Sequence, residues 1–288
     1  MAQTIGNPLS WTAQALGLGA RNAGEIVAEI ASHDDAPIRV RSIGISDLKT
    51  ALHKGYDDFV AMRTDVMWMV VLYPVIGFAL ALFAANGTLL PLVFPLMAGF
   101  AILGPVAGVG LYEMSRRREA GRDANWRDAL GIAFSPAAAP IMVLGGYLLA
   151  LFTVWMVAAF YIHSATLGPE PHASVGAFLS DVFTTGAGWT MILLGCAVGF
   201  VFALLALMVS LVSFPMLVDR HVGLPRAVTT SLAVARKNPV ATLAWGLIVA
   251  IGLGLGFATL FVGLIFVLPV LGHATWHLYR ATVEQAKS

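Results

Sequence analysis

His273 and His277 stand four residues apart in a stretch, Asn238 to Tyr279, that carries no other charged or titrating group except the Tyr279 hydroxyl. Positions four apart share a face of a helix. Such a pair could ligate a metal or haem, or pass a proton. A haem held between helices also needs a histidine at matching depth on a second membrane span. None of the other five histidines offers one, because His163 falls at a span boundary and the rest lie outside the spans. The expectation is therefore interface polarity and no cofactor. Glu113, which an internal alignment described below sets level with His277, can complete a polar cluster with His273 and His277. Metal binding by the two histidines remains the minor alternative.

Charge is otherwise missing from the apolar segments. Asp, Glu, Lys and Arg are absent from the core of every expected span, although ion-coupled transporters and proton pumps place such groups near the midplane. Tyr73, Tyr147, Thr153, Ser210, Ser213 and Thr242 remain for helix–helix hydrogen bonds. Nucleophile–base sets, phosphate-binding glycine loops and metal-spaced carboxylates are missing, and Cys196 is the single cysteine. No enzyme is expected. The leading reading is a non-catalytic accessory or scaffolding subunit of a larger membrane assembly. The alternative is a passive conduit or carrier for a small apolar or lipid-like solute, and the third is a histidine-based metal or haem protein.

The elements that must position these residues are membrane helices. The chain has 288 residues, 58% hydrophobic and 11% charged, against about 25% charged in soluble domains; its mean hydropathy is +0.81. As one helix, Asn238–Arg280 would be about 64 Å long, twice a hydrocarbon core of roughly 30 Å. It must cross, turn near Gly256–Leu260 and cross back. The same reading gives an all-α protein with six spans, at about 66–85, 89–111, 138–162, 189–218, 239–256 and 260–280. Residues 1–45 form an N-terminal segment with no apolar run long enough to cross, and 281–288 a tail. The membrane domain, 46–280, consists of three hairpins, each preceded by an amphipathic surface helix. The first surface helix, Ser46–Arg63, has Ser46 as its expected N-cap and Leu48, Leu52, Tyr56, Phe59 and Val60 at helical spacing, with Lys49, Lys54, Asp57 and Asp58 between them. Others are expected over 123–134 and 220–237, and a short one at Ser174–Phe183.

All 17 Lys and Arg lie in the N-terminal segment, the links after spans two and four, or the tail. By the positive-inside rule both termini are cytoplasmic and each hairpin runs in–out–in. Arg116, Arg117, Arg118, Arg122 and Arg127 form the densest basic cluster, suited to anionic lipid headgroups. The expected partners are the bilayer, anionic lipids and other membrane subunits, with no nucleic acid. Pro105 and Pro269 each remove a helix hydrogen bond and mark breaks.

Pro105-Val106-Ala107-Gly108 matches Pro269-Val270-Leu271-Gly272, each followed by an aromatic residue (Tyr112, Trp276) and then an arginine (Arg116, Arg280). With a helix before every hairpin, this points to a parallel threefold repeat about the membrane normal. The stretches Gly99–Arg118, Ser213–Gly223 and Asn238–Arg280 resemble the DUF2189 family of bacterial integral membrane proteins, over about 40–282 and most specifically in the last third. The resemblance implies a multi-span protein of the bacterial inner membrane and carries no catalytic residues with it.

The orientation is directly testable. A fluorescent protein fused after Ser288 is expected to fold and fluoresce, and alkaline phosphatase inserted in the 163–188 loop to be active. The opposite pattern would refute the topology.

Overall fold

The computed structural model describes residues 38–85, 89–170 and 174–284, together with Ile30. The expected N-terminal arm (1–29 and 31–37), the turn at 86–88 and residues 285–288 lie outside the described residues. The helices are α1 (Ile45–Ala85), α2 (Val93–Ala107), α3 (Val109–Glu119), α4 (Trp126–Gly131), α5 (Ala138–Thr166), α6 (Val175–Thr184), α7 (Gly186–Ser210), α8 (Ser213–Asp219), α9 (Leu224–Lys237), α10 (Pro239–Ala258) and α11 (Leu264–Thr282). Among the described residues there is no strand, only an isolated antiparallel bridge between Val40 and Val283.

Among the described residues, three helical segments are long and apolar enough to cross a membrane: α5, α7 with α8, and α10. A bent pair, Leu90–Gly99 and Ala101–Ala107, makes a fourth if its two halves, inclined at 41°, form one span. α11 is not among them, since His273, His277 and Arg280 lower its hydropathy. The all-helical class is as expected, and the spans are less continuous than the sequence suggests. The surface helix and the first expected span merge into α1, with non-helical angles at Met62 (φ −113°, ψ 15°). Ser46 lies inside α1 rather than capping it, and Asp47 instead accepts from the Gly44 amide at 2.8 Å. The turn expected near 256–260 follows α10 at 259–263, with Leu260 and Phe261 at positive φ.

The second and fourth expected spans are each broken. Pro105 has no amide to offer Ala101, and the helix ends two residues later at Ala107, with Gly108 as its C-cap; α3 begins at Val109. Pro74 is a further proline inside a helix, in α1. In contrast, α11 runs unbroken through Pro269 and Gly272. The two matched Pro-x-x-Gly stretches are thus alike in sequence and different in local structure.

Between α7 and α8 the interruption is bridged by one side chain. In a continuous helix the Val212 amide would bond the Met208 carbonyl. Instead Ser231 of α9 donates to the Met208 carbonyl at 2.8 Å and accepts from the Val212 amide at 3.3 Å. Ser231 is fully buried, so water cannot take its place.

At the basic end of the bundle Phe214, Met216, Trp276, Leu278 and Tyr279 are buried. The apolar part of α7–α8 is only 6% buried, as suits helices solvated by lipid. The segment before α1 is tied to the same end. Asn238 accepts from the Ile43 amide at 2.8 Å and donates to the Arg41 carbonyl at 3.1 Å, and Lys237 Nζ donates to the Val40 carbonyl at 2.7 Å.

Ser231→Ala removes both bonds at the α7–α8 break and leaves a buried carbonyl and amide unmet, a loss of about 1–3 kcal/mol. Thermal unfolding in mild detergent is expected to show a lower midpoint than wild type, and an unchanged midpoint would deny Ser231 its bridging role.

Candidate functional site

The most extensive helix–helix contact in the structure joins α1 to α11. Gly55 makes it possible, because a Cβ there would lie 2.5 Å from the Ala274 nitrogen. With the backbones this close, the α1 residues that face inward are Leu48, Ala51, Asp58, Phe59 and Met62, all buried. Tyr56 and Val60, expected on the apolar face, are exposed. Asp58, read from the sequence as part of the polar face, is only 4% exposed.

Asp58 stands at the centre of a buried polar knot. Its Oδ2 accepts from Ser115 Oγ at 2.6 Å and pairs with His277 Nε2 at 2.9 Å, while Arg118 bonds its Oδ1. Ser115 Oγ also lies 2.8 Å from His273 Nδ1. A hydroxyl has one proton, and with Ser115 donating to Asp58, its oxygen accepts from His273 Nδ1–H. The order is then His273, Ser115, Asp58, His277, with Arg118 neutralising the carboxylate. Burial pushes the Asp58 carboxyl up, but the hydrogen bonds from His277 and Ser115 and the nearby histidine charges outweigh it. The carboxyl is held below its ordinary value.

The knot combines serine, histidine and aspartate without the geometry of a nucleophile. Ser115 is 1% exposed and His273 fully buried, so an acyl substrate has no way to the hydroxyl. His273 Nε2 is buried and has no hydrogen-bond partner among the described residues. What the arrangement can do is hold a proton and lock three helices together. For a metal, His273 Nδ1 is directed to Ser115 and His277 Nε2 to Asp58, and among the described residues no group of three or more His, Cys, Asp or Glu is placed to hold one.

Glu113 does not join the histidines. Two positions on a helix differ by about 200°, so when Ser115 faces His273, Glu113 faces away. It is buried and accepts from Arg116 Nε and Nη2 at 2.7 and 2.8 Å and from Arg117 Nε at 2.9 Å. Arg117 also pairs with Asp128 at 2.9 Å. All three arginines at 116–118 are therefore engaged by acids of the chain itself, whereas Arg122 and Arg127 are exposed. A second ionic group lies beside the knot. Glu119 accepts from Trp276 Nε1 at 2.8 Å and Arg280 Nε at 3.0 Å, and Tyr279 donates to Asp219 at 2.7 Å. Asp58 and Ser115 are the members that sequence reasoning missed. The one available signal was Gly55, three residues before Asp58, as a small residue at a helix crossing.

A cavity of about 460 Å³ opens where the broken helices meet α10 and α11. Its wall includes Gly104, Pro105 and Gly108 at the α2–α3 break and Ser210 and Leu211 at the α7–α8 break. Leu111 and Tyr112 of α3 and Gly272 and Thr275 of α11 also line it, so the helices that carry the knot form part of the cavity. Pro105 stands at this wall, and Pro269 is buried inside α11.

Residues 93–219 match the model of a family described as a predicted integral membrane protein, DUF2189. The resemblance read from the sequence is shown over this stretch. The match covers both helix breaks, Glu113, Ser115 and Arg118; it does not cover the last third, where the likeness was expected to be most specific, nor Asp58, His273 or His277. No curated protein and no solved structure matches the chain.

The knot predicts a particular response to acid. A carboxyl lowered in the folded state adds stability that is fully present above its ordinary value near 3.8 and is lost as pH falls through the lower folded value. Thermal midpoints measured between about pH 3 and 7 are expected to fall at the acid end for wild type. Asp58→Asn should start lower and lack that part of the acid slope. Equal acid slopes in the two proteins would rule out the carboxylate as the acid-sensitive tie.

Proposed function

We propose that this integral membrane protein takes up a lipid-like or small apolar molecule in the cavity between its broken helices, as a carrier or facilitative conduit, and performs no covalent chemistry. The observation that carries this reading is the cavity itself. Its volume, about 460 Å³, falls within the roughly 300–1,000 Å³ of small-molecule sites, and its wall is almost wholly apolar side chains. Phe200, Leu243 and Leu247 belong both to the wall and to the exposed apolar surface, so an occupant can enter sideways from the bilayer. Both chain breaks border the space, and a broken helix offers a place where half-helices can shift without losing a whole ladder of hydrogen bonds.

In the same reading the chain crosses the bacterial inner membrane six times. The second part of α1, α2 with α3, α5, α7 with α8, α10 and α11 are the spans, and the basic end, with both termini, is cytoplasmic. The distribution of arginine and lysine supports this orientation. The accessory-subunit reading has support in the exposed apolar faces of α5, α7 and α10, but lipid suits those faces equally, and a scaffold has no use for an open interior.

Gly104 provides the test, because a Cβ there would have no neighbour within 4 Å. Gly104→Phe should place its ring in the cavity without distorting the backbone. Lipid or apolar ligand retained after gentle extraction, counted by native mass spectrometry, is expected to fall about tenfold, the equivalent of roughly two fewer buried methylenes. Undiminished retention would overturn the carrier reading, and a stoichiometric protein partner in the same preparation would favour the accessory subunit.

A further inference from the structure

The link between α3 and α5 has two unlike sides. Its inner side is fastened: Asp128 pairs with Arg117 at 2.9 Å, and Ala129 packs so closely on Gly110 that a Cβ on the glycine would lie 3.0 Å away. The start of α4 is already satisfied by its own residues, since Asn125 accepts from the Arg127 and Asp128 amides and Asp128 accepts from the Asn125 amide. Its outer side carries exposed apolar and basic residues. Leu130 is 51% exposed and Phe134 is 93% exposed, and the Arg127 guanidinium lies 5.5 Å from the centre of the half-buried Trp126 ring.

The cations sort the same way. Arg116, Arg117 and Arg118 are taken by Glu113, Asp128 and Asp58. Arg122 and Arg127 are exposed and make no ion pair among the described residues; Asp123 is the one exposed acid beside them. Phe134 lies four residues before α5, a helix long and apolar enough to cross the membrane. An aromatic this exposed, in one link with two arginines that make no ion pair and at the foot of a span, has the composition of a segment lying in the headgroup layer.

We infer that Arg122–Phe134 is a docking surface for anionic phospholipid of the leaflet at the basic end, with Leu130 and Phe134 entering the acyl boundary and Arg122 and Arg127 meeting the phosphates. Arg116–Arg118, although the denser run, are structural and contribute little to lipid selection. A free phosphate would satisfy the arginines and leave Phe134 in water, so the bilayer is the occupant that accounts for both halves of the surface. This surface is separate from the cavity, and its test is indifferent to whether the cavity binds anything.

The experiment uses the full chain with Cys196→Ser, in nanodiscs of phosphatidylcholine with and without phosphatidylglycerol. Nitroxide labels at Phe134→Cys and, separately, Leu130→Cys are expected to be open to oxygen and shielded from an aqueous nickel complex, whereas a label at Asp123→Cys is open to nickel. Selectivity for retained phosphatidylglycerol over phosphatidylcholine, counted by native mass spectrometry, should fall about fivefold for each of Arg122→Gln and Arg127→Gln. It should return when lysine replaces either arginine, and stay unchanged in Arg116→Gln. Labels at 130 and 134 as open to nickel as that at 123, the result a protein-docking face would give, would overturn the inference. So would selectivity unaffected by loss of the two charges, or lost equally in Arg116→Gln.

Discussion

The Asp58 carboxylate is the constraint around which the basic end of this protein is assembled. Taking a carboxylate out of water costs several kcal/mol unless hydrogen bonds and an opposite charge replace its hydration. Here the replacements come from two other helices, Ser115 and Arg118 on α3 and His277 on α11. None of the three helices can rotate or slide without exposing or orphaning part of this set. Gly55 is the steric condition for it, because any larger residue would push α1 away from Ala274 and carry Asp58 out of reach. The histidine pair thus has its orientation set by a partner more than two hundred residues away in the chain.

A similar economy of polar groups governs the breaks. An interrupted helix in apolar surroundings exposes backbone groups that water cannot reach. At the α7–α8 junction the solution is Ser231, a hydroxyl standing in for one helical hydrogen bond as both donor and acceptor. At the α2–α3 junction the Gly108 amide bonds the Gly104 carbonyl at 2.8 Å and the Tyr112 amide bonds the Gly108 carbonyl at 3.0 Å, so these groups are met within the chain itself. Residues at both interruptions, Gly104, Pro105 and Gly108 at one and Ser210 and Leu211 at the other, border the cavity.

Charge at the basic end has two uses that composition alone does not separate. Acids at 58, 113, 119, 128 and 219 neutralise arginines within the fold, building an ionic layer beneath the apolar helices. Cations left over from that layer are the ones available to a surface. Arg122 and Arg127 differ from Arg116–Arg118 in making no ion pair among the described residues, and spacing along the chain does not reveal that.

Much of the architecture was legible because helices are local. Hydropathy and periodicity depend on residues near in sequence, and they marked the helices of the basic links, the apolar segments and the charge asymmetry before any contact was known. Asp58 was misread for the same reason, since on a helical wheel it sits with Lys54 and Asp57 and nothing nearby announces a partner. The choice of Glu113 for the histidine cluster failed on rotation, as residues two apart on α3 face opposite ways. An interruption of the second apolar segment was expected from Pro105, whereas the fourth was read as one span, because composition cannot register a break sustained by Ser231 of another helix. By itself, then, the sequence determined an all-helical membrane chain whose Lys and Arg lie outside its apolar segments, because burial in lipid and helix formation are short-range demands. Which polar groups meet, where the helices break and whether a cavity remains were decided only by tertiary structure, because each depends on atoms brought together across the whole chain.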